Sequence, residues 1–221
     1  VVIANGALVL VKDNRRAFFT GLLLSIAGLS LGLLAGCVAL PDLQLAKTAK
    51  GSGDLATAEQ NYRVLASQGY VEAQIGLADL LIRSPSIEQR GQGGTLYRQA
   101  LDRSPVAPAR LGKWLASKPQ ASPAERLEAE QLLRQSLAAG DNSALLPLVQ
   151  LQLQDPQKLA SGELERELEQ WQAQGIAEAR LGKVLLYRVR GNYEQKLDEI
   201  AAICEGWLDQ ASECYLELAE V

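Results

Sequence analysis

From residue 42 onward the apolar positions recur at helical spacing, and the pattern repeats about every 35 residues. Ala73, Ala109, Ala144 and Ala179 mark the period, with separations of 36, 35 and 35. Each stands four residues after a turn former: Gly69, Pro105, Gly140 or Gly175. The stretch from Ala109 to Leu115 matches that from Ala179 to Leu185 at six of seven positions. Such a period predicts an array of helical hairpins, none able to bury its apolar face without its neighbours. The expected fold is all-α, a right-handed αα-superhelix (solenoid) of about five hairpins.

Start and stop signals place the elements. Asp42 caps a short helix ending near Lys50, which Gly51-Ser52-Gly53 breaks. Asp54 caps the next, with the stripe Leu55, Ala58, Tyr62, Leu65 and Ala66, and its return helix runs from about Val71 to Arg83. Leu96, Tyr97, Ala100 and Leu101 belong to the second pair, whose return helix holds Ala109, Leu111, Gly112 and Leu115. Gly91-Gln92-Gly93-Gly94 follows no strand and lacks a P-loop lysine, so it reads as a loop between repeats. Ser122-Pro123 with Glu125 at capping-box spacing opens the third pair, on the stripe Leu127, Leu132, Leu133 and Leu137. Asn142 caps the third return helix. There Pro147 replaces the glycine of the other repeats and predicts a local irregularity. The fourth pair starts near Ser161, and Asn192 caps a fifth first helix. Ala73, Gly76, Ala109, Gly112, Ala144, Ala179 and Gly182 are the small residues expected to let paired helices approach closely. The last helix is still amphipathic at Val221, so the array is expected to continue past that residue.

The front of the chain has a different pattern. Lys12, Arg15 and Arg16 precede an uncharged run from Ala17 to Gly36, which ends in Leu34-Ala35-Gly36-Cys37. A basic region, an apolar stretch and small residues before a cysteine describe the export signal of a bacterial lipoprotein. The Cys37 thiolate would take the diacylglycerol and become the acylated amino terminus, which anchors stably. The competing reading is a retained transmembrane anchor, since twenty uncharged residues can span a bilayer. Arg15-Arg16 resembles a weak twin-arginine signal. The expected organisation is therefore a signal peptide over 1–36, a lipidated tether over 37–45 and a repeat domain over 46–221. Val1 to Val11 is apolar and precedes the charges, and the chain has no methionine. An over-extended start is expected there, and 1–36 is set aside from the fold.

Composition narrows the chemistry. Lys12, Arg15, Arg16 and Asp13 fall before Cys37, which leaves 19 basic and 25 acidic residues and a net charge of −6. That balance argues against a nucleic-acid ligand. With no histidine, the usual general base and the commonest metal ligand are missing. No metal and no cofactor are expected apart from the lipid on Cys37. Cys204 and Cys214 lie on the two helices of one hairpin, and read either as a disulfide or as two buried free thiols. Two thiols without further ligands suit zinc poorly. Trp114, Trp171, Trp207, Tyr62, Tyr97, Tyr187 and Tyr215 are expected mostly as core fillers. The carboxylate runs Glu125/Glu128/Glu130 and Glu163/Glu165/Glu167/Glu169 read as solvated faces. Arg98, Arg103, Arg110 and Lys113 sit in one repeat and would attract a polyanion if they share a face. No catalytic constellation emerges, and the chain reads as a non-enzyme.

The pattern Ala58-x-x-x-Tyr62…Leu65-Ala66-x-x-Gly69-Tyr70-x-x-Ala73-Gln74-x-Gly76-Leu77-Ala78 resembles Sel1-like repeats, relatives of the tetratricopeptide repeat. Further signals are the lipobox followed by Ala39-Leu40-Pro41-Asp42, the stretch Ala109–Ala116, the stretch Ala179–Tyr187, and Cys204-x-x-Trp207 with Cys214 beside Tyr215. With these, residues 33–221 are similar to the N-terminal half of the AlgK family, alginate-export outer-membrane lipoproteins of pseudomonads. The resemblance implies a lipid-anchored scaffold on the periplasmic face of the outer membrane. Its implied partners are the alginate porin and periplasmic alginate-modifying proteins. Val38, Ala39 and Leu40 include no aspartate retention signal, in agreement with outer-membrane sorting. Two rival readings are a periplasmic Sel1-like lipoprotein acting as adaptor or regulator of cell-envelope enzymes, and a hydrolase of cell-wall material.

Overall fold

In a computed structural model of the chain, residues 2–4, 7–9, 41–192 and 194–205 are described. They fall in two compact units, Val1–Leu40 and Pro41–Val221. In the first, β1 (Val2–Ala4) pairs antiparallel with β2 (Ala7–Val9), with Val2 opposite Val9 and Ala4 opposite Ala7. Asn5-Gly6, the pair between the strands in sequence, is a favoured tight-hairpin dipeptide.

Among its described residues the second unit is all-α, a solenoid in which consecutive helices pack on one another. These are α1 (Leu43–Ser52), α2 (Leu55–Ser67), α3 (Val71–Leu81), α4 (Ile87–Ala100), α5 (Ala107–Ala116) and α6 (Pro123–Ala138). They continue with α7 (Leu145–Leu153), α8 (Pro156–Ser161), α9 (Glu163–Ala173), α10 (Glu178–Arg190) and α11 (Leu197–Glu205). Caps account for many of the boundaries. The Asp42 carboxylate accepts from the N–H groups of Gln44 and Leu45, and α1 stops at Gly53, whose φ of +85° suits glycine. Asp54 caps α2 through the Thr57 N–H. Ser122 and Glu125 form a full capping box on α6, with Pro123 in its first turn. Gly69, Gly140 and Gly175, the expected turns, all have φ between +83° and +90°.

The core is a series of small clusters handed from repeat to repeat, as a quasi-one-dimensional stack requires. Ala46, Ala58, Tyr62, Ala73 and Leu77 fill the first. Ala78, Tyr97, Leu111, Leu115 and Ala129 join the second repeat to the third. Leu145, Val149, Leu164, Leu168 and Leu186 form a later one.

Several local expectations are corrected. Gly91–Gly94 is not a loop: it lies inside α4, and two of its glycines are contact surfaces. Asp141, not Asn142, caps the third return segment, and Asn142–Ala144 is a 3-10 turn leading into α7. Because α7 starts only at Leu145, Pro147 sits in its first turn, where a missing N–H costs nothing. The irregularity expected from Pro147 thus takes the form of that 3-10 turn. Asn192 does not cap with its side chain; its Oδ1 lacks a hydrogen-bond partner, while its carbonyl accepts from the Gln195 N–H. Leu55 and Leu127 leave their stripes and are 54% and 57% exposed. Helix α8, started by Asp155-Pro156, was not anticipated.

Candidate interaction surface

The small residues set how closely the helices pack. Ala73, Ala109, Ala144 and Ala179 are buried, at 0–3% exposure. A β-carbon on Gly76 would lie 2.6 Å from the Tyr62 ring, and one on Gly182 would lie 2.5 Å from Leu168 Cδ2. In both, the first helix of the hairpin inserts a side chain over the glycine of the second. Gly112 instead receives Leu133 from the following repeat, whose Cγ would stand 2.9 Å from an added β-carbon. Within α4, Gly94 seats the Trp114 indole and Gly93 faces Ile82.

Tyr62, Tyr97 and Tyr187 are buried. Trp114 and Trp171 pack half-buried against core clusters, and the Lys118 ammonium lies 5.1 Å from the Trp114 ring centroid. Trp207 and Tyr215 fall outside the described residues, as do Cys37 and Cys214. Cys204 is fully buried beside Leu181, Val184, Tyr187 and Ile200, and is disulfide-bonded. Its expected pairing with Cys214 therefore lies outside the described residues.

Two polar groups tie repeats together. The first centres on Asp79, 8% exposed, which stands six residues after Ala73 where the other repeats carry Leu115, Gln150 and Leu185. Its carboxylate accepts from Tyr97 Oη at 2.6 Å and from Lys50 Nζ at 2.7 Å, with an Arg110 nitrogen at 3.8 Å. One carboxylate thereby links α1, α3, α4 and α5. Burial, reinforced by the hydrogen bond to Asp79, pushes the Tyr97 phenol far above its ordinary pKa, so it stays a donor.

The second group corrects the reading of the carboxylate runs as solvated faces. Arg134 on α6 bonds Glu130 at 3.1 Å and, on α9, Glu167 at 2.7 Å. Lys158 on α8 reaches Glu130 at 2.6 Å, and Gln152 Nε2 on α7 reaches Glu167 at 2.9 Å. Burial would raise the Glu130 pKa, yet the hydrogen bonds and charges of Lys158 and Arg134 outweigh it and hold the carboxyl below the ordinary range. Glu128 pairs bidentately with Arg98, and Glu165 with Arg190 at 2.5 Å. The hydrogen bond and charge of Lys118, with the Ser122 N–H, hold Glu125 at about 2.

The four cations of the second repeat do not form one patch. Arg98 faces α6 through Glu128, and Lys113 reaches Ser143 ahead of α7 at 2.7 Å. Arg103 and Arg110 instead turn toward α3: Arg103 bonds Gln74, and Arg110 approaches Asp79. Among the described residues no group of three or more Asp, Glu or Cys could hold a metal ion, and no helix is long and apolar enough to cross a membrane.

No known family profile matches the chain. It is similar to curated proteins named alginate biosynthesis protein AlgK. That of Pseudomonas aeruginosa is 48% identical over 192 residues, which cover 87% of this chain and 40% of that protein. That of Azotobacter vinelandii is 46% identical over 198 residues, 87% of this chain and 43% of the relative. That of Pseudomonas syringae pv. tomato is 45% identical over 206 residues, 93% of this chain and 43% of the relative. The chain spans about two-fifths of the length of the curated relatives it matches.

Proposed function

Because this chain belongs to the AlgK family, of which it matches a fragment, we propose that it serves alginate secretion as part of a lipid-anchored scaffold on the periplasmic face of the outer membrane. The observation that carries the proposal is the stack of hairpins, whose cores pass from one repeat to the next and leave a long lateral surface. A surface of this kind binds by many side chains at once and needs no preformed reaction centre. In this role the chain places the alginate porin and links it to periplasmic alginate-modifying proteins, and it performs no reaction itself.

Anchoring falls to Cys37. Cleavage after Gly36 and acylation of the cysteine would leave a tether of a few residues before Asp42 and α1, which keeps the first repeats close to the membrane. The test removes the third hairpin, residues 123–153, from the protein in alginate-secreting cells and follows the porin in outer-membrane fractions. The porin is expected to be lost or misplaced while the anchored protein, checked by its helical circular dichroism, remains. Unchanged porin placement and unchanged capture of the modifying proteins would remove the basis for a scaffold.

A further inference from the structure

A groove of about 820 Å³ runs along α3. Val71, Ile75 and the backbone of Gly76 form its floor, the last covered from within by the Tyr62 ring. Lys47 and Lys50 of α1 form one rim, and the segment from Arg103 to Val106 ahead of α5 forms the other. The charges along these rims do not cancel. Lys47 is matched by Glu72, while Lys50 and Arg110, which approaches from α5 beside the groove and is not part of its lining, share the single carboxylate of Asp79. Arg103 bonds only neutral acceptors: Gln74 Oε1 at 2.7 Å and the carbonyls of Gln99 at 3.1 Å and Gly69 at 3.4 Å. Two positive charges are left over in a chain whose net charge is −4. Hydrogen bonds fix the Arg103 guanidinium in place, so it meets an incoming anion already oriented.

We infer that this groove binds a short stretch of a uronate polysaccharide, with carboxylates on Arg103 and Arg110 and sugar C–H faces on Val71, Ile75 and Pro105. The Ser104 hydroxyl, a neutral hydrogen-bonding group beside Arg103, suits a sugar hydroxyl. A stiff polymer with one carboxylate per residue matches separated cations over an open floor. The choice of uronate rests on the proposed role in alginate secretion, whereas the anionic character of the ligand rests on the groove alone.

The probe is a hexauronate prepared from alginate, titrated into the chain by calorimetry at low and at moderate salt. Binding is expected, weakening as salt rises, and the double variant Arg103→Gln/Arg110→Gln should weaken it by about tenfold or more. Arg98→Gln/Arg126→Gln removes the same charge elsewhere and should leave affinity unchanged. Binding of maltohexaose as tight as that of the hexauronate would overturn the inference. So would an unaffected groove variant, or a hexaglutamate peptide that binds more tightly, which would assign the groove to an acidic polypeptide. If the double variant loses its helical spectrum, amide shifts of the unaltered chain decide. Shifts confined to 47–51, 71–79 and 103–110 support the groove, and shifts elsewhere refute it. Hexauronate binding with porin capture lost, or the reverse, separates this inference from the scaffold role.

Discussion

Two glycines three residues apart on α4 should respond to alanine in opposite directions. Gly91 is exposed, and a β-carbon there meets nothing within 4 Å. Gly91→Ala therefore gains only the helix propensity difference, about 1 kcal/mol of added stability. Gly94→Ala gains the same amount, but its β-carbon would stand 2.2 Å from Cζ3 and 2.3 Å from Cη2 of Trp114. A rigid indole has no flexible end to move aside, so the ring must leave α4 as a whole. Overpacking of this kind costs roughly 1–3 kcal/mol. Here it belongs at the upper end, because Trp114 also packs against the second core cluster. The net effect is a loss of about 1–2 kcal/mol, which separates the two variants by about 2–3 kcal/mol. At roughly 2–4 °C per kcal/mol for a chain of this size, the melting midpoints should differ by about 4–12 °C. Circular dichroism at the helical minimum reads this, with tryptophan emission shifting to the red only in Gly94→Ala. Equal midpoints, or a higher midpoint for Gly94→Ala, would refute the seating of Trp114 on α4.

Other perturbations follow from the same contacts. Asp79→Asn leaves the partly exposed Lys50 and Arg110 without their carboxylate and should cost about 1–2 kcal/mol in urea unfolding, while Asp79→Glu should cost less. The Glu130 carboxyl has a depressed pKa in the folded state, so its contribution is present above the unfolded carboxylate pKa of about 4.3 and is lost as pH falls through the lower folded value. Glu130→Gln should accordingly lower the midpoint at pH 7 and flatten its fall between pH 6 and pH 3, as followed by thermal melts. A Cys204–Cys214 bridge would close a ten-residue loop and add about 2–3 kcal/mol, so reductant should lower the midpoint of the chain and leave that of Cys204→Ala unmoved.

Much of the fold was legible because it repeats. The alanine recurs in four repeats and the positive-φ turn glycine in three, so chance agreement in one repeat is outvoted by the others. Caps with a single candidate residue at the helix start, Asp42, Asp54 and Ser122, could be read directly. Where Asp141 and Asn142 stood side by side, either could cap, and only the 3-10 geometry decided for Asp141. The glycines of α4 misled because glycine in sequence signals both a loop and a close approach, and only the position of Trp114 separates the two. Asn5-Gly6 between apolar residues carries a hairpin signal, which the basic and apolar pattern of an export signal over 1–36 masks.

The polar features were harder to see. Glu130 and Glu167 looked like face charges because their partners, Arg134, Lys158 and Gln152, come from other helices. Asp79 did leave a trace, an acid at a position where the other repeats place leucine or glutamine, and alignment of the repeats position by position exposes it. The split of Arg98 and Lys113 from Arg103 and Arg110 depends on helix rotation, which spacing alone does not give.

The proposed scaffold role is best tested by affinity capture of the protein from envelope fractions of alginate-secreting cells, with each recovered protein quantified against it. Co-recovery of the alginate porin and at least one periplasmic alginate-modifying protein in comparable amounts, abolished when residues 123–153 are removed, is the predicted result. Recovery of the protein alone, with the porin correctly placed in cells that lack it, would contradict the role.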